Sequence, residues 1–386
     1  MKDWPTKKLG DVAEVQMGQS PPGETYNSEG VGLPFFQGKA EFGEEYPTRV
    51  KWCSQPSRIA ESGDILLSVR APVGPTNFAN ERCCIGRGLA AIRGESNKCN
   101  QRYLRYFLKR FETNIAALGV GSTFTAINRS DIERLEIPMP PLREQERIVR
   151  LLDGAEELRK LRAQADRRAA ELIPALFHKM FGDPIRGARG IAVGRVAEAG
   201  RVQLGRQRAP KYQTGKFTCP YVRVANVFED RIDVSDLLSM DFDERDFPKY
   251  RLEHGDILLN EGQSTELVGR PAMWRNEVQD CCFQNTLLRF QSNRQKVLPD
   301  FALGLFLTYF RTGEFAKLSG KTSSIAHLGA GRFAKMPFVV PSLSLQKEFA
   351  QCVTEIRGME EGQDASRRRI EELFQSLLHK AFNGEL

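Results

Sequence analysis

The residues with the clearest capacity for chemistry are Asp256, Glu261 and Gln263, in the order Asp-x4-Glu-x-Gln. Carboxylates so spaced suit a metal-dependent nuclease, in which they hold the Mg²⁺ that steers an in-line displacement at phosphate. The chain's own internal repeat argues against that reading. Asp64 stands where Asp256 does in an earlier copy, but Val69 and Ala71 replace Glu261 and Gln263. An Asp after Gly at the entry of a strand is a turn former. Ser20-Pro21-Pro22-Gly23 has the two prolines of a methyl-transfer motif, without the acid or amide before them or the aromatic after. No G-x-G loop opens a helix after a strand, and no P-loop lysine motif occurs. The eight cysteines form no C-x-x-C pair and the four histidines are scattered, so no zinc ribbon or finger assembles from local spacing. Cys83-Cys84 and Cys281-Cys282 lie in apolar strand-like runs and read as buried free thiols. We expect no catalytic residue, no metal ligand and no cofactor held by this chain.

The remaining chemistry is recognition. Arg and Lys suit guanine, Asn and Gln suit adenine, and Ser and Thr suit either. In the first half such side chains crowd loops at Gln19, Ser20, Gln37, Lys39, Arg70, Arg87, Ser122, Thr123 and Thr125. In the second half they recur at Gln207, Arg208, Lys211, Arg223, Asn226, Gln263, Ser264, Lys321, Thr322 and Ser323, with Glu261 among them as a base reader or a plain loop residue. Some of the basic ones suit phosphates, which fix position without reading sequence. The net charge of +7 points the same way, toward a polyanion.

Two long helices must position these loops. Leu142 to Phe181 is preceded by Pro140-Pro141 and stopped by Gly182-Asp183-Pro184. Ile148, Leu151, Ala155, Leu158, Ala165, Ala169, Leu172 and Leu176 follow alternating three- and four-residue steps, interrupted by Arg162. That is the spacing of a coiled-coil seam. Roughly 40 residues at about 1.5 Å each give a rod of about 60 Å. The pattern returns 201 positions later over Leu343 to Phe382, with Phe349, Cys352, Ile356, Met359, Ile370, Leu373 and Leu377 on the seam. Pro174 has no counterpart and predicts a kink in the first rod. Arg159-Lys160-Arg162, Arg167-Arg168 and Arg367-Arg368-Arg369 read as solvated outer faces.

The stretches between the rods repeat as well. Gly63-Asp64-Ile65-Leu66-Leu67 is answered by Gly255-Asp256-Ile257-Leu258-Leu259, Cys83-Cys84 by Cys281-Cys282, and a helical face from Tyr103 to Ile115 by Phe301 to Phe315. The order is unit, rod, unit, rod: a tandem duplication. Boundaries are expected at 1–140, 141–183, 184–341 and 342–386. The 386 residues exceed one ordinary domain, and 41% hydrophobic with 27% charged residues is a globular composition. No apolar run is long enough to span a membrane, and Met1-Lys2-Asp3-Trp4 starts no signal peptide, so a cytoplasmic protein is expected.

This plan resembles the specificity subunit of type I restriction–modification systems. LGDVAEVQMGQSP, GDILLSVRAPVG, CCIGRGLAAIR and GSTFTAINRSDIERLEIPMPPLREQERIV carry the resemblance in the first half, PYVRVANVF and GDILLNEG in the second. It implies an α+β fold of two tandem mixed α/β target-recognition domains, each followed by a long helix, the helices pairing as an antiparallel coiled coil. Each domain would read one half of a bipartite, asymmetric site in double-stranded DNA. The paired helices would set the spacing and dock two methyltransferase subunits, beside restriction subunits. S-adenosylmethionine, ATP and Mg would be bound by those partners. The second half departs from the pattern where Val340-Pro341-Ser342-Leu343-Ser344-Leu345-Gln346 replaces Pro-Pro-Leu-x-Glu-Gln, which implies an altered methyltransferase contact there. Two other classes compete: a coiled-coil scaffold with protein-binding domains, and a stand-alone DNA-modifying enzyme.

Overall fold

The computed structural model describes residues 4–118, 126–184, 192–210, 213–322 and 325–386, with only the backbone of Lys321 and Thr322. They form two compact units, Met1–Arg162 with Ala365–Leu386, and Ala163–Asp364. Each unit therefore takes in part of both long helices.

The first unit is built on a four-stranded antiparallel sheet in the order Ala13–Met17, Leu89–Gly94, Ile65–Ser68, Thr76–Phe78. The Gly63-Asp64 turn feeds its apolar run as expected: Gly63 sits at φ 90°, and the Asp64 carboxylate accepts from the Glu61 N–H at 2.8 Å. Arg93 closes the turn with two bonds to Asp64, of 2.7 and 2.8 Å. A second sheet is formed around the parallel pair Leu33–Phe36 and Cys83–Ile85. Thr6–Lys8 pairs with Glu136–Pro138. The helix Gln101–Arg110, capped by the Asn100 side chain, lays Tyr103, Leu104 and Phe107 on the core.

The second unit repeats this topology. Its four-stranded sheet runs Gly200–Leu204, Leu287–Ser292, Ile257–Asn260, Pro271–Met273. Thr218–Val222 and Cys282–Phe283 are its parallel pair, Ala192–Arg195 and Pro337–Val340 its two-stranded ribbon, Pro299–Arg311 its core helix. The paired cysteines of both units are buried free thiols.

The first long helix runs Leu142–Ala170, breaks at Glu171 and resumes as Leu172–Phe181; the second is continuous over Leu343–Phe382. Pro174 supplies the break, because it offers no N–H to the Ala170 carbonyl and its ring crowds that oxygen. Both helices start on one device. Gln145 is fully buried, accepts from the Asn100 N–H at 2.8 Å and donates to the carbonyls of Lys98 and Pro140 at 3.0 and 2.9 Å. Gln346 repeats it with Leu298 N–H, Lys296 O and Pro341 O at 2.8, 2.9 and 2.9 Å. The altered stretch of the second half thus keeps the residue that fastens the helix to its unit.

The buried face of the helices corrects the expected seam. Leu151, Leu158, Leu172, Met359 and Leu373 are exposed, and Leu176, Ile356, Ile370 and Leu377 are half-buried. In the first unit Ile148, Leu152 and Ala155 share one core with Phe374, Leu378 and Ala381; in the second, Phe177 and Phe181 share one with Phe349 and Val353. Steps of four and three from Ile148, and again from Phe374, keep a seam-like spacing but in a phase that leaves Leu151 and Leu373 out, and buried Val149 widens the face toward the globular core. Arg159 and Lys160 also differ from the expected solvated face: Arg159 pairs with Glu371 at 2.8 Å and Lys160 with Glu45 at 3.1 Å. Accordingly, Leu152→Ala should cost about 2–5 kcal/mol, while Leu158→Glu should stay within about 0.5 kcal/mol. Urea unfolding of the two variants checks this, and equal losses would restore the heptad seam.

Candidate nucleic-acid interface

In the first unit, five main-chain bonds draw strand ends together. Gly18 N–H donates to Leu89 O at 2.9 Å, Gln19 to Ile85 O at 3.0 Å, Gly86 to Phe36 O at 2.8 Å, Val69 to Gly88 O at 2.9 Å and Ile127 to Val69 O at 3.0 Å. Gly88 is required, since a Cβ there would lie 2.1 Å from Gln37 O. The convergence holds Gln19, Gln37, Lys39, Arg70 and Arg87 with exposed side chains, and half-buried Ser20 accepts from the Arg87 N–H at 3.4 Å. Residue types that read bases in a major groove, scattered from Gln19 to Arg87 in the sequence, thus lie on strand ends gathered together. Rigid strand ends holding polar loops are a usual setting for binding residues. Tyr26 belongs there too, donating to Pro21 O at 2.8 Å and stacked on Phe35 with centroids 4.7 Å apart. The sequence signals it only as a lone aromatic in a polar loop.

The second unit reproduces the frame bond for bond. Gly205 N–H donates to Leu287 O at 3.1 Å, Arg206 to Phe283 O at 3.1 Å, Gln284 to Val222 O at 3.0 Å, Glu261 to Thr286 O at 2.9 Å and Leu328 to Glu261 O at 2.8 Å. The side chains differ. Gln207 and Arg208 are exposed, Arg223, Gln263 and Ser264 half-buried, and Arg223 pairs with Asp236 at 2.5 Å. Lys321 and Thr322 lie on the strand Gly320–Thr322, beside Ile325–His327, which in turn pairs with Gly262–Gln263. Ser122, Thr123, Thr125, Lys211 and Ser323 lie outside the described residues.

One loop candidate is corrected, and the reading of Asp256 as a turn former stands. Asn226 is 2% exposed, donates to the carbonyls of Asp233 and Asp236 at 3.0 Å each and accepts from the Arg223 N–H at 3.0 Å, so it staples a loop and cannot reach a base. Asp256 is buried, accepts from the Glu253 N–H at 3.0 Å and from Gln291 at 3.0 Å, and pairs with Arg289 at 3.1 Å. Burial raises its carboxyl above the usual range despite Arg289. It is a turn former, as its repeat position implies. Among the described residues no group of three or more His, Cys, Asp and Glu side chains could hold a metal ion, and no helix is long and apolar enough to cross a membrane.

Charge fixes each loop layer to its helix. In the first unit Glu45 meets Lys160 at 3.1 Å, Arg102 at 3.6 Å and Arg105 at 4.0 Å. In the second, Asp230, at φ 53°, meets Arg275 at 2.7 Å and Arg357 at 3.0 Å. Burial raises the Glu45 carboxyl, but the three cations outweigh it and the net shift is downward. A carboxylate lowered on folding stabilises above its unfolded value, here 4.5, and that contribution is lost as pH falls through the folded value. Glu45→Gln should therefore be less stable than the parent at neutral pH and converge with it in acid. A constant difference between the two stability–pH curves would show that Glu45 does not titrate in this way.

A family profile described as "Type I restriction modification DNA specificity domain" matches residues 1–165. The chain is 44% identical over 159 residues to a protein of Methanocaldococcus jannaschii named as the putative type I restriction enzyme MjaX specificity subunit, covering 41% of this chain and 37% of that one. It is 23% identical over 312 residues to the EcoKI specificity subunit of Escherichia coli K12, covering 74% of this chain and 65% of that one. In each case the matched region spans less than two thirds of the relative. The fold is that of the type I restriction–modification S subunit from M. genitalium, with a TM-score of 0.56 at 16% identity over 98% of this chain and 96% of the other. The profile match is confined to the first 165 of the 386 residues. The proteins this chain is similar to are specificity subunits of such systems.

Proposed function

We propose that this chain is the DNA-sequence-specificity subunit of a type I restriction–modification complex, without catalytic residues of its own. Residues 1–140 and 184–341 would be two target-recognition domains, each reading one half of a bipartite, asymmetric site. The observation that carries this is the duplicated frame: the same five main-chain bonds hold two convergent loop sets whose exposed side chains differ. A shared scaffold with different readers suits two unlike half-sites.

The long helices would pair antiparallel. In support, the start of the first shares a core with the end of the second in one unit, and the end of the first with the start of the second in the other. Leu151, Leu158 and Leu161, 40–50% exposed, leave an apolar stripe suited to docking methyltransferase subunits, two in the full complex. Those partners would bring S-adenosylmethionine, and restriction subunits ATP- and Mg-dependent cleavage, in the cytoplasm where the DNA lies.

Exchanging residues 1–140 for the corresponding domain of a relative with another specificity tests the assignment. One half of the recognised site should change and the other stay. A change in both halves would contradict two independent readers.

A further inference from the structure

At one point the two frames carry opposite chemistry. Val69, Arg70 and Ala126 occupy in the first unit the places of Glu261, Gly262 and His327 in the second. The register shows it: Arg70 bridges Ala126, and Gly262 pairs with His327. Where the first unit presents an exposed cation, the second presents a hydrogen-bonded acid–imidazole pair, Glu261 Oε2 to His327 Nδ1 at 3.1 Å.

The pair is held in place from several sides. Glu261 donates its N–H to Thr286 O at 2.9 Å and accepts at its own carbonyl from Leu328 N–H at 2.8 Å. The guanidinium of Arg332 donates to the His327 carbonyl at 2.5 Å and to that of Leu328 at 3.1 Å. Gly262 is part of the design, because a Cβ there would lie 3.2 Å from both Cε1 and Nδ1 of the imidazole. The glycine leaves room for the ring beside the strand. The His327 side chain remains 41% exposed and that of Glu261 18%. A hydrogen bond to Glu261 fixes the role of Nδ1 as donor and leaves Nε2 for another group. One carboxylate and one outward ring nitrogen, fixed at the loop edge, make a polar reader rather than a phosphate clamp, since the carboxylate repels phosphate.

We propose that Glu261 and His327 together determine one base pair of the second half-site, by accepting from an exocyclic amino group in the major groove, cytosine N4 or adenine N6. Carboxylates accept from cytosine N4 in this way, whereas the Arg70 of the first unit has the fork that suits guanine. The inference rests on the DNA-reading function proposed above. His327 carries no signal of its own in the sequence; its partner is 66 positions away, and only the folded register joins them.

The test is selection of bound sites from a randomised DNA library by the full chain co-expressed with its methyltransferase. The variant is Glu261→Val with His327→Ala, which installs the residues the first unit already tolerates in the same frame. At one position of the second half-site, preference for the amino-bearing base should fall by roughly 5- to 150-fold, with every other position unchanged. Adding Gly262→Arg should shift that position toward guanine. Cytosine or adenine at that position in the parent motif distinguishes the two amino groups. If the parent selects a bipartite site and the variant selects the same site with the same discrimination, the Glu261–His327 assignment fails alone. If the parent complex selects no site at all, the DNA-reading function fails and takes this assignment with it. Uniform loss at all positions in the variant would mark the pair as structural and overturn the proposal.

Discussion

Replacing Gln145 with alanine should destabilise the first unit by about 3–5 kcal/mol. The side chain is fully buried and satisfies three main-chain groups from two separate stretches of the chain, Asn100 N–H and Lys98 O in one and Pro140 O in the other. Each buried polar group left without a partner costs about 1–3 kcal/mol, and alanine replaces none of these bonds. The loss falls where the loop before the helix Gln101–Arg110 meets the start of the first long helix, so it should loosen that docking. Gln346→Ala should affect the second unit equally, since Leu298, Lys296 and Pro341 are held in the same way. Chemical denaturation of the two single variants measures both. A loss below about 1 kcal/mol would mean that water fills the vacated site and restores the bonds.

The second large effect is expected at Asp256. Asp256→Leu should cost about 3–5 kcal/mol, because it strands the Arg289 guanidinium, 3% exposed, without its anion. Burial has already moved both groups toward neutrality, Asp256 upward and Arg289 downward in pKa. The ion pair is therefore costly to form and more costly to break. Removing both partners should recover part of the loss. Recovery stays partial because Arg289 also donates to Arg251 O at 2.7 Å, Gln203 at 2.8 Å and Lys249 O at 2.9 Å. The pH behaviour has the opposite sign to that of Glu45. An acid whose folded value is raised favours the folded state below its unfolded value, and that preference is lost as pH rises through the folded one. Unfolding of the single and double variants by urea checks the magnitudes, and a double variant as damaged as the single would show that the geometry of Arg289, rather than its charge, carries the effect.

Much of this architecture is legible in the sequence because it depends on local patterns said twice. The Gly-Asp turns at Gly63 and Gly255 precede apolar strands in both units, and both long helices start and stop near the expected residues. Pro174 marks the break in the first helix for a purely local reason. What depends on packing was not legible. An apolar spacing reads as a heptad seam until the neighbouring cores select a different face, burying Leu152 and leaving Leu151 exposed. Asn226 has the composition of a base reader, yet its amide is engaged by carbonyls 7 and 10 residues on, which sequence alone does not show. The loop candidates that flank strand ends are the exposed ones. Gln19, Gln37, Arg70 and Arg87 lie on strand ends that main-chain bonds gather, and their side chains are exposed. His327 gives no signal because its partner lies 66 positions away, and Tyr26 because its stacking on Phe35 forms only in the folded unit.

The most direct measurement is a methylome. The chain would be expressed with the proposed partner methyltransferase subunits in a host lacking such enzymes, and the DNA read by single-molecule detection of modified bases. A bipartite, asymmetric methylated motif that vanishes when this chain is omitted is the expected result. A methylated motif that persists without the chain, or none despite a complex that co-purifies and methyltransferase that is active on its own substrate, would contradict a specificity subunit that reads two half-sites.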